Sequence, residues 1–208
     1  MRWAPRGVAG LRAEESLTVA EGCIPLARMT LELIERLSVE AGKRGLEFLL
    51  IGGQAVIHHG YPRMTIDVDF LCRAPQREEW DGVIGEYGYK AYSVANAFTQ
   101  FAGDPGWPKV DLMFVDNQTY GKLEKEAVRK GCVCIPSPRH LVALKLHAAC
   151  SASRSEPEKD WGDIEALVKL HRLDPSDKDF RDLVLRYGGE ESLARIENMW
   201  QRLNKQCL

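Results

Sequence analysis

Two neighbouring segments constrain this chain more than any others. Leu46 to Ile51 is a nearly unbroken apolar run that stops at Gly52-Gly53, and the next β-like segment, Thr65 to Cys72, carries Asp67 and Asp69. A near-continuous apolar run suits a central strand covered on both faces, where an amphipathic strand would alternate. Side chains two apart in a strand share a face, so the two aspartates stand side by side, flanked by Ile66, Val68 and Phe70. Two carboxylates brought to about 4 Å repel by roughly 4 kcal/mol at an effective dielectric near 20. Such a pair calls for a shared proton or an intervening divalent cation.

The surrounding pattern is mixed. Leu26 to Ala41 places Leu26, Met29, Leu33, Ile34 and Leu37 on one stripe, the signature of an amphipathic helix, closed by Gly42 and Gly45. Gln54 to His59 reads as a short helix stopped by Gly60 and Pro62. A helix from Pro75 through Ile84 follows, then short strands over Tyr89–Val94 and Ala97–Ala102. The turn-forming stretch Gly103 to Pro108 delivers a third strand, Lys109 to Val115, containing Asp111. A helix from about Gln118 to Val128 and a strand Gly131 to Ile135 end this half. Beyond Pro136 and Pro138 the periodicity is helical, over Arg139–Ser151, Lys159–His171, Asp177–Tyr187 and Glu191–Leu203. The expected class is α+β: a mixed sheet flanked by helices, with a C-terminal helical segment. The expected organisation is an N-terminal tail or extension (1–25), a core (26–136) and helices packed on it (137–208).

The formal net charge of −2 offers no global basic field for nucleic acid, so a phosphate-bearing ligand needs a local site. No apolar run reaches the roughly 18 residues that span a bilayer. The N-terminal residues lack the apolar core of an export signal, and the six cysteines show no dense spacing pattern, so a cytoplasmic protein with free thiols is expected. No Gly-x-x-x-x-Gly-Lys-Ser/Thr loop and no Gly-x-Ser-x-Gly elbow is present, which sets aside those nucleotide-binding and hydrolase classes.

Gly52-Gly53, then Arg63-x-Thr65-x-Asp67-Val68-Asp69, then Val110-Asp111-Leu112 resemble the nucleotidyltransferase fold of the DNA polymerase beta superfamily. More narrowly, they are similar to minimal bacterial and archaeal nucleotidyltransferases, which include toxins of abortive-infection type. The downstream string Leu144-Lys145-Leu146, Arg154, Lys159-Asp160 and Asp163-Ile164 looks like the Lys/Arg-rich motif of that subgroup. The likeness covers roughly Leu46 to Leu170.

The chemistry of the residues agrees. Carboxylates that hold two cations stabilise both the attacking and the leaving oxygen of an in-line displacement. Asp67 and Asp69 supply ligands from one strand and Asp111 from another; an all-oxygen set points to Mg²⁺ or Mn²⁺, with two ions expected. The resemblance further implies that Asp111 assists deprotonation of an incoming hydroxyl. Gly52 and Gly53 leave bare backbone for a triphosphate, the N–H groups opening the next helix favour an anion, and Gln54 is a supporting donor. Lys145 and Lys159 are point charges for phosphate oxygens, although a lysine on a helix also snorkels. Arg63 and Thr65 position either phosphate or the loop itself. Asp160 and Asp163, one helical turn apart, orient either Lys145 or the nucleotide, and the sequence leaves both readings open.

The expected activity is Mg²⁺-dependent transfer of a nucleoside monophosphate from an NTP to a hydroxyl of a protein or RNA acceptor. A toxin–antitoxin setting with a cognate partner protein goes with the resemblance. The alternative is a non-catalytic nucleotide- or partner-binding module on the same fold. Transfer to a small cationic antibiotic is a third reading, with Glu78, Glu79 and Glu86 as the acidic residues it needs.

Overall fold

The computed structural model describes residues 26–152 and 155–205. The expected tail (1–25) and Arg154 lie outside the described residues. Helix α1 (Leu26–Arg44) buries Thr30, Ile34, Leu37 and Ala41 along one stripe and stops at Gly45, whose φ of +67° suits a residue without a side chain. Thr30 Oγ1 donates to the Ile66 carbonyl at 3.1 Å, tying α1 to the chain just ahead of the aspartates.

Strands β1 (Phe48–Leu50), β2 (Val68–Arg73), β3 (Lys90–Ala95), β4 (Phe98–Ala102) and β5 (Val110–Val115) form one sheet in the order β1-β2-β5-β4-β3. Only the central pair β2–β5 is parallel; the other neighbours run antiparallel. Val68, Phe70 and Cys72 of β2 face one side, with Leu50, Val110 and Leu112, under α1 and α3 (Arg77–Glu86). On the opposite face Leu49, Ile51 and Leu71 meet Tyr120 and Leu123 of α4 (Asn117–Lys125). Strand β2 is therefore covered on both sides next to the aspartates, and its neighbour β1 holds Leu49 and Leu50 with no exposure at all.

Helix α2 (Gly52–His58) follows β1 directly. Helices α5 (Pro138–Ala149), α6 (Pro157–Leu170) and α7 (Lys178–Lys205) complete the described chain, and one hydrophobic cluster runs from Ile34 on α1 through the sheet to Met199 on α7. The two expected C-terminal helices are continuous except at Gly189, where φ of +73° breaks the helical path. His59 is buried at the end of α2; its Nε2–H donates to the Pro136 carbonyl at 2.8 Å and anchors α2 to the start of α5.

Two elements differ from expectation. The helix expected to reach Val128 ends at Lys125, and β6 (Val128–Lys130) forms a hairpin with β7 (Val133–Ile135) instead. Gly131, with φ of +60°, makes the turn, so a turn former outweighed weak helical periodicity in a fully exposed stretch. The strand expected from Thr65 starts only at Val68, leaving Asp67 on the irregular segment that leads into it. Among the described residues no helix is long and apolar enough to cross a membrane.

Candidate active site

The parallel pairing of β2 with β5 brings Asp69 opposite Asp111. Directly paired residues share a face and hold their side chains close together, so these carboxylates, distant in sequence, become neighbours. Asp67 precedes them and is exposed. Asp111 Oδ2 accepts a hydrogen bond from Gln100 Nε2 at 2.8 Å, whereas its buried Oδ1 has no hydrogen-bond partner. Burial raises the Asp111 carboxyl above its ordinary value, the Gln100 hydrogen bond opposes this, and the charge of Asp67 adds to the rise.

An orphaned buried carboxylate oxygen beside two further carboxylates fits a divalent cation, whose charge would offset both the desolvation and the repulsion. Among the described residues no three His, Cys, Asp or Glu side chains lie close enough together to hold a metal ion. The strand register brings Asp69 and Asp111 together, and Asp67 lies within electrostatic reach of Asp111.

The glycine turn also has a packing purpose that the sequence did not reveal. A Cβ on Gly52 would lie 1.9 Å from Asp69 Oδ2, and Gly52 itself adopts φ of +63°. A Cβ on Gly53 would lie 2.8 Å from Thr65 Oγ1. The two glycines thus make room for the Asp69 carboxylate and for Thr65. Gln54 is buried, and its Nε2 donates to the Thr65 carbonyl at 3.3 Å, so the amide braces the loop ahead of Asp67.

Gly52→Ala is expected to destabilise the protein by at least about 2 kcal/mol, from the positive φ and the overlap with Asp69 together. That corresponds to a melting-temperature fall of about 4–8 °C for a chain of this size. Gly42→Ala is the control: its new Cβ meets nothing within 4 Å, and α1 gains roughly 0.5–1 kcal/mol of helix propensity. Equal melting temperatures for the two variants would refute the close approach.

Lys145, Asp160, Asp163 and Arg63 form a buried ion network beside the carboxylates. Lys145 Nζ lies 3.0 Å from Asp160 Oδ1 and 2.8 Å from Asp163 Oδ2, and Arg63 Nη1 pairs with the same Asp163 oxygen. Both aspartates are almost fully buried. Of the two readings left open for Asp160 and Asp163, the observed contacts are those that orient Lys145. Arg63 braces the segment before β2 against α6. Lys159, by contrast, is exposed on the first turn of α6 and pairs with Glu156.

A cleft of about 460 Å³ joins these groups, bordered by Gly52, Asp69, Asp111, Gln100, Lys145 and Phe98. Leu141 and Leu144 of α5 and Met113 of β5 close it with apolar surface. Gln100 and Phe98 escaped the sequence reading; the only signal was one amide in the otherwise apolar-leaning run Phe98 to Ala102. Glu78, Glu79 and Glu86 lie on α3, whose buried side packs on the other face of the sheet, and Glu86 pairs with Arg44.

No protein-family profile matches the sequence, and no curated protein matches it. Solved structures do. The antibiotic adenylyltransferase ANT(2″)-Ia, in complex with adenylyl-2″-tobramycin, superposes with a TM-score of 0.56 at 15% identity, covering 77% of this chain and 97% of that one. A nucleotidyltransferase-like protein from Paracoccidioides brasiliensis gives 0.52 at 15% identity over 84% of this chain and 93% of its own. The lincosamide adenylyltransferase LnuA, bound to lincomycin, gives 0.52 at 14% identity over 67% and 96%. At such identities the likeness is one of fold. The chain has a nucleotidyltransferase fold: a mixed five-stranded sheet flanked by helices, with helices at its C-terminus.

Proposed function

We propose that the protein is a Mg²⁺-dependent nucleotidyltransferase that moves a nucleoside monophosphate from an NTP to an acceptor hydroxyl on a protein or RNA. The observation that carries this reading is the buried Oδ1 of Asp111, left without a partner on the strand position that faces Asp69. Asp67, Asp69 and Asp111 would hold the cations, two ions of Mg²⁺ or Mn²⁺. When bound, these supply charge neutralisation for the triphosphate and for the oxygens entering and leaving the α-phosphorus. The acceptor oxygen forms a bond to that phosphorus, the bond to the β-phosphate bridging oxygen breaks, and pyrophosphate departs. Asp111 takes the hydroxyl proton.

Gly52 borders the cleft with backbone alone, on the β1 side of the carboxylates, where the triphosphate has room to approach. Lys145 offers the remaining ammonium proton to a phosphate oxygen while Asp160 and Asp163 hold its position. The exposed Lys159 is a secondary candidate for the outer phosphates. The motif resemblance adds a cognate antitoxin-like partner protein.

The test is incubation with each labelled NTP, Mg²⁺ and a cell extract, comparing the wild type with the Asp67→Ala/Asp69→Ala double variant. Label that appears with one NTP and disappears in the double variant is the expected result. NTP binding by calorimetry without any turnover would favour a non-catalytic nucleotide-binding module instead.

A further inference from the structure

Cross-strand register extends the catalytic face beyond Asp111. Asp69 pairs with Asp111, Asp111 with Gln100, and Gln100 with Ser93, so one row of side chains crosses β2, β5, β4 and β3 on a single face. The next row on that face is Leu71, Met113, Phe98 and Ala95. A polar row and an apolar row therefore run side by side from the carboxylates to the free edge of the sheet. Ser93 and Ala95 are small, and Phe98 is 40% exposed although it borders the cleft. With strands about 4.8 Å apart, the shelf spans roughly 10 Å from Asp111 to β3, about the reach of one ring-bearing group.

The charge on this shelf is as informative as its shape. Asp69 and Asp111 are its carboxylates, and the metal site of the proposed reaction occupies them. Among the described residues the one other carboxylate bordering the cleft, Asp160, is held by Lys145. The acidic side chains of α3 belong to the other face of the sheet. Among the described residues a polycationic acceptor thus finds no spare carboxylate there and would compete with the metal. A phosphate-rich acceptor meets the Asp69 and Asp111 carboxylates and apolar side chains along the shelf. Lys145, held by two aspartates, gives its remaining proton to the triphosphate, and His147 is the other basic side chain bordering the cleft among the described residues.

We infer that the β4–β3 shelf is the acceptor subsite, and that it takes an uncharged hydroxyl carried on an aromatic or branched-aliphatic body, in a protein acceptor the side chain of tyrosine. Phe98 and Met113 contact the body, Leu141 and Leu144 cover it, and the hydroxyl reaches Asp111. Gln100 is a positioning residue: its amide N–H fixes Asp111 Oδ2, and its carbonyl oxygen remains to meet the acceptor. In-line displacement requires the entering and leaving oxygens on opposite sides of the α-phosphorus. With the triphosphate on the Gly52 side, the acceptor must come from the β4–β3 side. The inference rests on the transferase reading, and the experiment separates the two.

Using full-length protein, MgNTP binding is measured first by calorimetry. Transfer is then compared for a neutral tyrosine peptide, its phenylalanine counterpart, a free neutral phenol, tobramycin as a polycation and a short RNA with a free 3′ hydroxyl. Transfer to the tyrosine peptide, to the phenol or to both, but not to the phenylalanine peptide, is expected; the ratio of the first two distinguishes a protein from a small-molecule source. Phe98→Ala should raise the acceptor KM about tenfold, and Ser93→Trp should obstruct the shelf to a similar degree. Both should leave the NTP KM within about twofold and both should melt cooperatively like the wild type. A higher kcat/KM for tobramycin or RNA, an acceptor KM indifferent to both substitutions, or nucleotide binding without transfer to any neutral hydroxyl overturns the acceptor assignment. Absence of MgNTP binding in the wild type overturns the transferase reading itself.

Discussion

Replacing Lys145 with methionine should cost about 3–5 kcal/mol of stability, because it leaves Asp160 buried without its lysine and Asp163 with Arg63 alone. For a chain of this length that is a melting-temperature loss of roughly 6–20 °C. The cost comes from the buried carboxylates that lose their lysine and far less from the lost lysine itself, so it should be recoverable. Lys145→Met combined with Asp160→Asn removes the buried charge that Lys145 balanced and leaves Arg63 to serve Asp163, and should regain about half of the loss. Thermal melts of the three variants at pH 7 decide the matter. A single variant within about 1 kcal/mol of the wild type would mean that the network is solvated and contributes little. Activity is expected to stay low in the double variant even as stability returns, since the ammonium that faces the cleft is gone.

Asp111→Asn should have the opposite signature: higher stability with almost complete loss of transfer. Burial raises the Asp111 carboxyl, so the folded state binds its proton more tightly than the unfolded chain does. The contribution to stability is then greatest below the ordinary carboxylate range and is lost as pH climbs through it toward the raised folded value. At pH 7 the wild type carries the full penalty of a buried, partly unpartnered charge, and asparagine does not. A gain of about 1–2 kcal/mol is expected there, shrinking as the pH is lowered toward 4. Mg²⁺ should raise the melting temperature of the wild type and leave the variant unmoved, through mass action on the folded state. Loss of a cation ligand worth about 4 kcal/mol in the transition state lowers the rate by about a thousandfold. An Asp111→Asn protein less stable than the wild type at pH 7 and still responsive to Mg²⁺ would rule out a metal-binding role for this carboxylate.

The carboxylates were legible because their signal is local. Two aspartates two apart where a strand begins, a Gly-Gly turn before them and an aspartate early in another strand survive as text, although Asp67 itself stands just ahead of that strand. The roles of the flanking residues were less legible. Gly52 and Gly53 read as bare backbone for phosphate, yet their missing side chains first accommodate Asp69 and Thr65. Lys145 and Lys159 look alike in sequence, but one is almost buried between two aspartates and the other is exposed on Glu156. Burial is a property of how α5 packs on α6, which helical periodicity alone does not specify. Gln100 carried no signal beyond being an amide in a strand, because its importance arises from pairing with Asp111.

What the sequence alone determined is the set of local preferences. An apolar run makes a covered strand, positive-φ glycines end helices and turn chains, and repeated stripes make the C-terminal helices. Those preferences act over a few residues and imply an α+β chain with a carboxylate centre. The order β1-β2-β5-β4-β3 was decided only by tertiary structure. That order places Asp111 beside Asp69, lays Gln100 and Phe98 next to them and turns the acidic residues of α3 to the other face. Which strands become neighbours depends on the whole core packing at once, and no window of sequence contains that sum.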